Sequence, residues 1–170
     1  MQARQQLAGA VRGAEVVFAP LALDALTARI VKDCGFGAAY LSGGALGYAN
    51  AVSEALLTVT EMAHVARHIV QRADVPLIVD VGVGFGDAVH VARTVWEMEN
   101  AGAAAIELED QVAPKRVSHH RGIEHLVPLP EMVDKIRVAV EARTDPDMLL
   151  IARTGAVRNE AFAAAVERGR

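Results

Sequence analysis

Apolar and polar positions along the chain alternate between two patterns. Short continuous apolar runs are typical of strands buried on both faces, and apolar residues at helical spacing are typical of helices with one buried face. The runs predict strands at 16–19, 38–41, 76–81, 103–109 and 148–152. The helical spacing predicts helices at 23–34, 58–72, 87–100, 131–142 and from 159 onward, with a loop at 42–57. Thr58 and Glu61 fit a capping box at the start of the second of these helices.

Buried strands that alternate with helices predict an α/β fold with a parallel sheet covered by helices. Two architectures fit this order, an open doubly wound sheet and a (β/α)8 barrel. Polar residues at the predicted strand ends favour the barrel, which collects such ends in one ring around its active site. These residues are Ser42, Asp80, Glu109 and Arg153. The first strand–helix turn, 20–22, has no glycine and therefore lacks the phosphate-binding loop of a nucleotide-binding sheet.

The length of the chain limits how much of a barrel it can form. It has 170 residues, whereas a complete barrel takes about 250. The sequence therefore predicts a single partial barrel domain over 1–170, covering about the first five β/α units. An unclosed sheet would leave two strand edges exposed, so we expect this chain to be the N-terminal part of a longer protein.

Charge and cysteine content narrow the class of partner. Lys and Arg number 17 against 21 Asp and Glu, a net charge of −4, whereas a module that neutralises phosphates is basic. No apolar stretch reaches the length of a membrane-spanning helix. The one cysteine, Cys34, cannot form a disulfide within the chain. We therefore expect a cytoplasmic protein that binds a small molecule, with neither a nucleic acid nor a membrane as partner.

Two carboxylates are candidates for a metal site. Asp80 ends a buried strand and precedes glycines at 82, 84 and 86, and Glu109 ends the next strand. Because neighbouring parallel strands end at the same edge, both carboxylates could bind one Mg²⁺, which prefers oxygen ligands. The alternatives are that Asp80 caps the following turn and that Glu109 forms a solvated pair with Asp110.

Further strand ends offer groups for an anionic substrate. Ser42-Gly43-Gly44 could present backbone N–H groups to a carboxylate or phosphate, or could be an ordinary loop. Arg153 could bind a carboxylate through its planar guanidinium, or could pair with Glu109. The basic segment 115–120 could close over an anion, or could be a solvated loop. His64 and His68 are interpreted as surface residues, and Cys34 as inert packing.

A series of short motifs runs through nearly the whole chain. In order they are Asp24-Ala25-Leu26, Tyr40-Leu41-Ser42-Gly43, Thr58-Val59-Thr60-Glu61, Gly84-Phe85-Gly86, Glu107-Leu108-Glu109-Asp110 and Arg153-Thr154. Together they resemble the isocitrate lyase / phosphoenolpyruvate mutase superfamily. The resemblance implies a (β/α)8 barrel, usually a homotetramer, that uses Mg²⁺ to stabilise an enolate-like species on a small 2-oxo or 2-hydroxy acid.

The resemblance also implies roles for individual residues. Asp80 and Glu109 would hold the metal. The substrate carboxylate would be bound by Ser42, Gly43, Gly44 and Arg153. The candidate catalytic set consists of Asp24 at the mouth of the first strand and Lys115 and His119 in a mobile gating loop.

Three motifs depart from the superfamily pattern. Gly82 replaces the second acidic residue of the metal motif, and Gly155 replaces the aspartate of an Arg-Thr-Asp motif. Val117 and Ser118 replace a Cys-Gly pair in the loop, and valine cannot transfer a proton. Cleavage that depends on this cysteine is therefore less compatible with the sequence than decarboxylation, which needs only a stabilised enolate.

The sequence thus predicts a Mg²⁺-dependent lyase or decarboxylase that cleaves a C–C bond in a small oxo or hydroxy dicarboxylate. One alternative is a mutase or hydrolase acting on a P–C bond, for which Ser118 is the local hint. Another is a non-catalytic, truncated remnant, for which the lost carboxylates and the lost cysteine argue.

Overall fold

Four parallel strands form one sheet within residues 2–13 and 16–170, which the computed structural model describes. They are β1 (Ala39–Leu41), β2 (Leu77–Asp80), β3 (Ala105–Glu109) and β4 (Leu149–Arg153), and they pair in chain order. The helices are α1 (Gln2–Arg12), α2 (Ala25–Asp33), α3 (Gly43–Ala49), α4 (Val59–Ala73), α5 (Ala88–Ala101), α6 (Leu129–Ala142), α7 (Ala156–Asn159) and α8 (Phe162–Arg168). Two short 3-10 helices, Glu54–Leu56 and Val117–Arg121, lie between them.

The parallel α/β fold predicted from the sequence is confirmed. Strands joined through helices and paired in chain order form the wall of a (β/α)8 barrel, here a partial one. The capping box is present, since Thr58 Oγ1 accepts from the Glu61 N–H at 3.2 Å and Glu61 Oε2 accepts from the Thr58 N–H at 2.8 Å.

The strand predicted at 16–19 is wrong. Residues 16–20 have no regular structure, and this segment meets β1 through a single bridge between Leu21 and Tyr40. The Tyr40 N–H donates to the Pro20 carbonyl, and the Tyr40 carbonyl accepts from the Ala22 N–H. Phe18 is 68% exposed. An apolar run forms a buried strand only where other chain segments pair with it and cover it, which a propensity pattern cannot show.

Two further predictions on local structure are corrected. The predicted loop at 42–57 contains α3 and a 3-10 helix, because the Ser42 side chain accepts from the Ala45 N–H at 3.3 Å and caps α3. Asn159 does not begin the last helix. It ends α7, and its Nδ2 donates to the Gly155 carbonyl at 2.9 Å.

The sheet buries its two faces in different ways. Its outer face packs on the helices through residues such as Leu77, Val79 and Ile106, in the larger apolar cluster. The opposite, inner face carries a small cluster in which Leu7 of α1 packs against Ala104 and Ala105. Helix α1 therefore covers the inner face near the amino ends of the strands. None of the helices in the described ranges is long and apolar enough to cross a membrane.

Arg4 fastens α1 to this amino end. Its Nε donates to the Ala103 carbonyl at 2.9 Å, and its Nη2 donates to the Glu99 carbonyl at 2.6 Å. Nη1 forms an ion pair with the Asp145 carboxylate at 2.8 Å. All three guanidinium nitrogens thus have partners, as a buried arginine requires.

Candidate active site

Side-chain alternation along the strands brings the predicted polar residues to one face. Successive side chains on a strand point to opposite faces, so Asp80 shares the inner face with Ile78, and Glu109 shares it with Ala105. Asp80 is in register with Glu107, and Glu109 is in register with Arg153. Neighbouring strands therefore bring these charged side chains together at the carboxyl end of the sheet.

Asp80 is a buried carboxylate held by backbone donors. Its Oδ1 accepts from the Gly82 N–H at 2.9 Å, and its Oδ2 accepts from the Gly43 N–H at 3.2 Å. Burial raises the pKa of Asp80 above its ordinary value, and Glu109 raises it further, against the lowering effect of the backbone donors. This is the electrostatic state of a carboxylate for which a cation would be a favourable partner.

The turn after β2 depends on one glycine in particular. Gly84 has a φ of +78°, and a Cβ there would lie 2.6 Å from Val91 Cγ2 and 2.9 Å from Leu108 Cδ1. A larger residue would therefore force the side chains of Val91 and Leu108 to move, in addition to the strain of its positive φ. The close packing fixes the path of the backbone that follows Asp80.

Glu109 lies at the centre of the charged cluster and is 3% exposed. Its Oε1 lies 2.5 Å from Lys115 Nζ, and its Oε2 accepts from Gln111 Nε2 at 3.2 Å. Arg153 Nη2 is 3.8 Å from the same Oε2. The alternative of a solvated Glu109–Asp110 pair is therefore wrong. Asp110 is instead buried and accepts from Thr154 Oγ1 at 2.6 Å and from the Gly155 N–H at 3.0 Å.

Glu54 joins the loop after β3 to the segment after β1. Its Oε1 accepts from Lys115 Nζ at 2.6 Å and lies 2.6 Å from His119 Nε2. Burial would raise the pKa of Glu54, but Lys115 and His119 hold it below its ordinary value. Burial likewise opposes the charge on Lys115, yet Glu109 and Glu54 raise the pKa of this lysine above its ordinary value. The two predicted loop residues are thus fixed by a carboxylate that the sequence did not reveal.

Arg153 forms a second charged group on the inner face. Its Nη1 donates to Glu107 Oε1 at 3.1 Å, and the Tyr40 hydroxyl donates to the same oxygen at 3.0 Å. Burial disfavours its charge, but Glu109 and Glu107 raise the pKa of Arg153 above its ordinary value. The half-exposed guanidinium is fully ionised at neutral pH, and part of it faces solvent.

Two cavities share this cluster. One, of about 450 Å³, lies between the turn after β2 and the loop after β3, and Asp80, Glu54 and Lys115 line it. The other, of about 220 Å³, is lined by the same three residues. Its wall also includes Ser42, Gly44, His119 and Arg153. Charged side chains of both signs therefore line two spaces of small-molecule size that share three wall residues, and Glu109 lines neither of them.

Most of the predicted site residues meet here, with two differences. The Gly43 N–H, predicted to bind a substrate carboxylate, is used by Asp80, while Gly44 and the capping Ser42 border the smaller cavity. Asp24, predicted as catalytic, lines neither cavity. It caps α2, where its Oδ1 accepts from the Thr27 N–H at 2.8 Å, because the chain turns into a helix directly after it.

Sequence reasoning missed Glu54, Glu107 and Tyr40. Two of them carried a usable signal, since Glu107 is two residues before Glu109 and Tyr40 two before Ser42, and period-two alternation puts such pairs on one face. Glu54 lies in a connection with no period, so only the fold reveals it. Of the surface predictions, His64 and His68 are exposed as expected, whereas Cys34 is exposed rather than packed.

The donor set at this end fits a hard cation in part. Asp80 and Glu109 supply carboxylate oxygens, the ligands that Mg²⁺ prefers, and Mg²⁺ usually keeps several of its waters. Within the described part of the chain, no group of three or more His, Cys, Asp and Glu side chains could hold a metal ion. The residues present thus fit a largely hydrated Mg²⁺ with two carboxylates.

The fold and site together define an α/β-barrel type of protein with a charged small-molecule site at the carboxyl end of its strands. A family model described as phosphoenolpyruvate phosphomutase matches residues 10–170. The chain belongs to the phosphoenolpyruvate phosphomutase family, within the superfamily that the sequence motifs resembled.

Known relatives include enzymes of several reactions. The chain is 45% identical over 161 residues to 2,3-dimethylmalate lyase of Eubacterium barkeri, covering 91% of this chain and 54% of the relative. It is 44% identical over 155 residues to 2-methylisocitrate lyase of Aeropyrum pernix, covering 91% of this chain and 49% of the relative. A crystal structure of phosphonopyruvate hydrolase with oxalate and Mg²⁺ superposes with a TM-score of 0.91 at 34% identity. The match covers 99% of this chain and 58% of the hydrolase chain. The chain thus spans about half the length of the curated relatives it matches.

Proposed function

We propose that the protein carrying this chain is a Mg²⁺-dependent lyase or decarboxylase that cleaves a C–C bond in a small 2-oxo or 2-hydroxy dicarboxylate. The observation that carries the proposal is that Asp80 and Lys115 line both cavities and Arg153 lines the smaller one. Glu109 is buried directly against Lys115, with Arg153 Nη2 3.8 Å from its Oε2. The lyase relatives at 44–45% identity support the reaction class. We further propose a cytoplasmic homotetramer, on the resemblance to the superfamily and the single cysteine.

The chain's own residues supply binding and charge. Arg153, part of whose guanidinium faces the smaller cavity, would bind one substrate carboxylate, with Ser42 and Gly44 beside it. Asp80 and Glu109 would hold Mg²⁺, which supplies Lewis-acid stabilisation of a developing enolate oxygen. Lys115 adds positive charge at the same mouth. Lys115 and His119 are candidates for moving a proton, since each lies 2.6 Å from Glu54 Oε1.

Decarboxylation fits the loop chemistry better than aldol-type cleavage. Val117 cannot act as an acid or base, and decarboxylation of an oxaloacetate-like acid requires only that the enolate be stabilised. Asp24 has no part in this proposal, because its carboxylate caps α2 outside both cavities.

A substrate panel tests the proposal. The purified protein is incubated with oxaloacetate, 2-methylisocitrate or 2,3-dimethylmalate, each with Mg²⁺ and with a chelator. We expect turnover of at least one acid that the chelator abolishes. Absence of turnover on all of them would reject the lyase proposal, and calorimetric binding of a dicarboxylate without turnover would select a non-catalytic binding protein instead.

A second candidate is hydrolysis or rearrangement at a P–C bond. The fold similarity to phosphonopyruvate hydrolase favours it, as does Ser118, whose Oγ lies 3.2 Å from His125 Nε2 in the loop after β3. Phosphonopyruvate is therefore added to the panel and followed by phosphorus NMR. Release of phosphate or formation of a phosphate ester from phosphonopyruvate alone would select this candidate over the lyase.

A further inference from the structure

Lys115 lies where two carboxylates converge. Its Nζ is 2.5 Å from Glu109 Oε1 and 2.6 Å from Glu54 Oε1. The Lys115 side chain is 9% exposed, and the Glu109 side chain is 4% exposed. A buried ammonium is stable only when opposite charges and acceptors surround it, and these carboxylates supply both.

Position 82 opens the space in which this ammonium lies. A Cβ on Gly82 would lie 3.9 Å from Glu109 Oε1 and 4.0 Å from Lys115 Nζ. The Gly82 N–H also donates to Asp80 Oδ1, so the same backbone unit borders both candidate metal ligands. With hydrogen in place of a side chain at this position, Lys115 brings a positive charge to the point between Asp80, Glu109 and Glu54.

We propose that Lys115 is a built-in cation that competes with the divalent cation for Glu109, and that binding of the divalent cation displaces it. This inference rests on the proposed Mg²⁺ site at Asp80 and Glu109. The reason is electrostatic. An ammonium in contact with a carboxylate oxygen and a divalent ion bound by the same carboxylate would be like charges a few ångströms apart in a buried site. Glu109 therefore cannot bind both cations without a large electrostatic repulsion between them.

Displacement of Lys115 would also loosen the loop that carries it. Glu54 holds this loop through two contacts on one oxygen, Lys115 Nζ and His119 Nε2. When Lys115 leaves Glu109, the loop loses that contact and retains those to Glu54. Occupancy of the cation site and closure of segment 115–121 are therefore opposed in the absence of substrate. An anionic substrate would allow the cation to bind while the loop stays closed, because the substrate would form a new ion pair with Lys115.

Binding of Mn²⁺, a paramagnetic substitute for Mg²⁺, tests the competition directly. The affinity of wild-type protein is compared with that of Lys115→Met by electron paramagnetic resonance of free Mn²⁺. We expect Lys115→Met to bind Mn²⁺ more tightly by about tenfold or more, because a buried positive charge next to the ligand is gone. Lys32→Met is the matched control. It removes the same charge from an exposed lysine paired with Asp74, and its Mn²⁺ affinity should equal that of wild type.

Trypsin cleavage of the wild-type protein provides a second test. Trypsin can cleave after Arg116, within the loop, and after exposed arginines elsewhere such as Arg67. In the wild-type protein we expect Mn²⁺ to accelerate cleavage after Arg116 relative to cleavage after Arg67. In Lys115→Met, cleavage after Arg116 should be fast with and without Mn²⁺.

The outcomes separate the inference from the function on which it rests. Equal or weaker Mn²⁺ affinity in Lys115→Met, or protection of Arg116 by Mn²⁺ in wild type, overturns the competition and leaves the metal site in place. If neither wild type nor Lys115→Met binds Mn²⁺, the proposed metal-dependent function fails, and the competition fails with it. Unfolding of Lys115→Met, monitored by circular dichroism, would leave the wild-type protease result to decide.

Discussion

The two ends of the parallel sheet differ in how completely their buried charges are paired. At the amino end, Arg4 places each guanidinium nitrogen on an acceptor, two carbonyls and the Asp145 carboxylate. At the carboxyl end, Asp80, Glu54 and Lys115 line both cavities and Arg153 lines the smaller one, while Glu109 is buried against Lys115. There the pKa of Asp80 is raised by burial, and the Arg153 guanidinium still faces solvent.

The amino end of the sheet thus contributes to stability, and the carboxyl end retains charge that a ligand could bind. A fully partnered charge has no capacity left for a ligand, whereas an incompletely neutralised cluster gains by binding one. Parallel strands make the separation possible, because all of them present their amino ends to one side and their carboxyl ends to the other. Substitutions at the two ends should therefore affect different measurements.

The largest expected effect is on catalysis at the carboxyl end. Asp80→Asn should lower turnover by about a thousandfold, since it removes a charge proposed to hold the metal. The free energy of unfolding should change by less than about 1 kcal/mol, because burial already disfavours the charged form of this carboxyl. Steady-state assays and urea unfolding measure the two quantities. Asp24→Asn is the matched control outside the cavities, and full activity of Asp80→Asn would remove Asp80 from the metal site.

The next effect is on stability at the amino end. Arg4→Met should lower the free energy of unfolding by about 3 kcal/mol, since it removes the hydrogen bonds that Arg4 donates to the Asp145 carboxylate and to two carbonyls in a buried setting. Turnover per folded molecule should stay unchanged. Arg12→Met removes an exposed arginine from the same helix and should cost little. A fall in turnover that exceeds the fall in folded fraction would show that the two ends are coupled.

The smallest effect concerns Lys135, a lysine of α6 that is 2% exposed and donates to the Val83 carbonyl at 2.9 Å. Burial lowers its pKa below the ordinary 10.5. Between the lowered pKa and 10.5 the unfolded chain binds more protons, so this group makes stability rise with pH in that window. At neutral pH, Lys135→Met should alter the free energy of unfolding by less than about 1 kcal/mol, as a lost hydrogen bond offsets a relieved buried charge.

Urea unfolding of wild type and Lys135→Met over a pH series checks this expectation. The free energy of unfolding of wild type should increase relative to that of Lys135→Met as pH approaches 10.5 from below. Parallel curves would mean that Lys135 titrates as it does in the unfolded chain, and that burial does not disfavour its charge.

Residues whose positions follow from strand periodicity could be predicted from the sequence, and residues whose positions depend on tertiary contacts could not. Asp80, Glu109 and Arg153 could be predicted because apolar runs mark where strands end, and parallel strands end at one edge. The strand at 16–19 failed because its apolar run lacks the neighbours that would bury it. Glu54 could not be found, since a 3-10 turn in a long connection has no period. Asp24 was assigned to the site by resemblance, whereas its local sequence makes it a helix cap.

The Arg4 contacts also bear on the order in which the chain acquires its structure. The partners of Arg4 lie 95, 99 and 141 residues away along the chain. Closing loops of this length costs conformational entropy before the contacts repay it, so such contacts form late. During synthesis, α1 emerges before these partners, so the Arg4 guanidinium has no binding site until β3 and the turn before β4 have been made. Helix α1 therefore docks later than its place in the chain suggests, once β3 and the turn before β4 are in place.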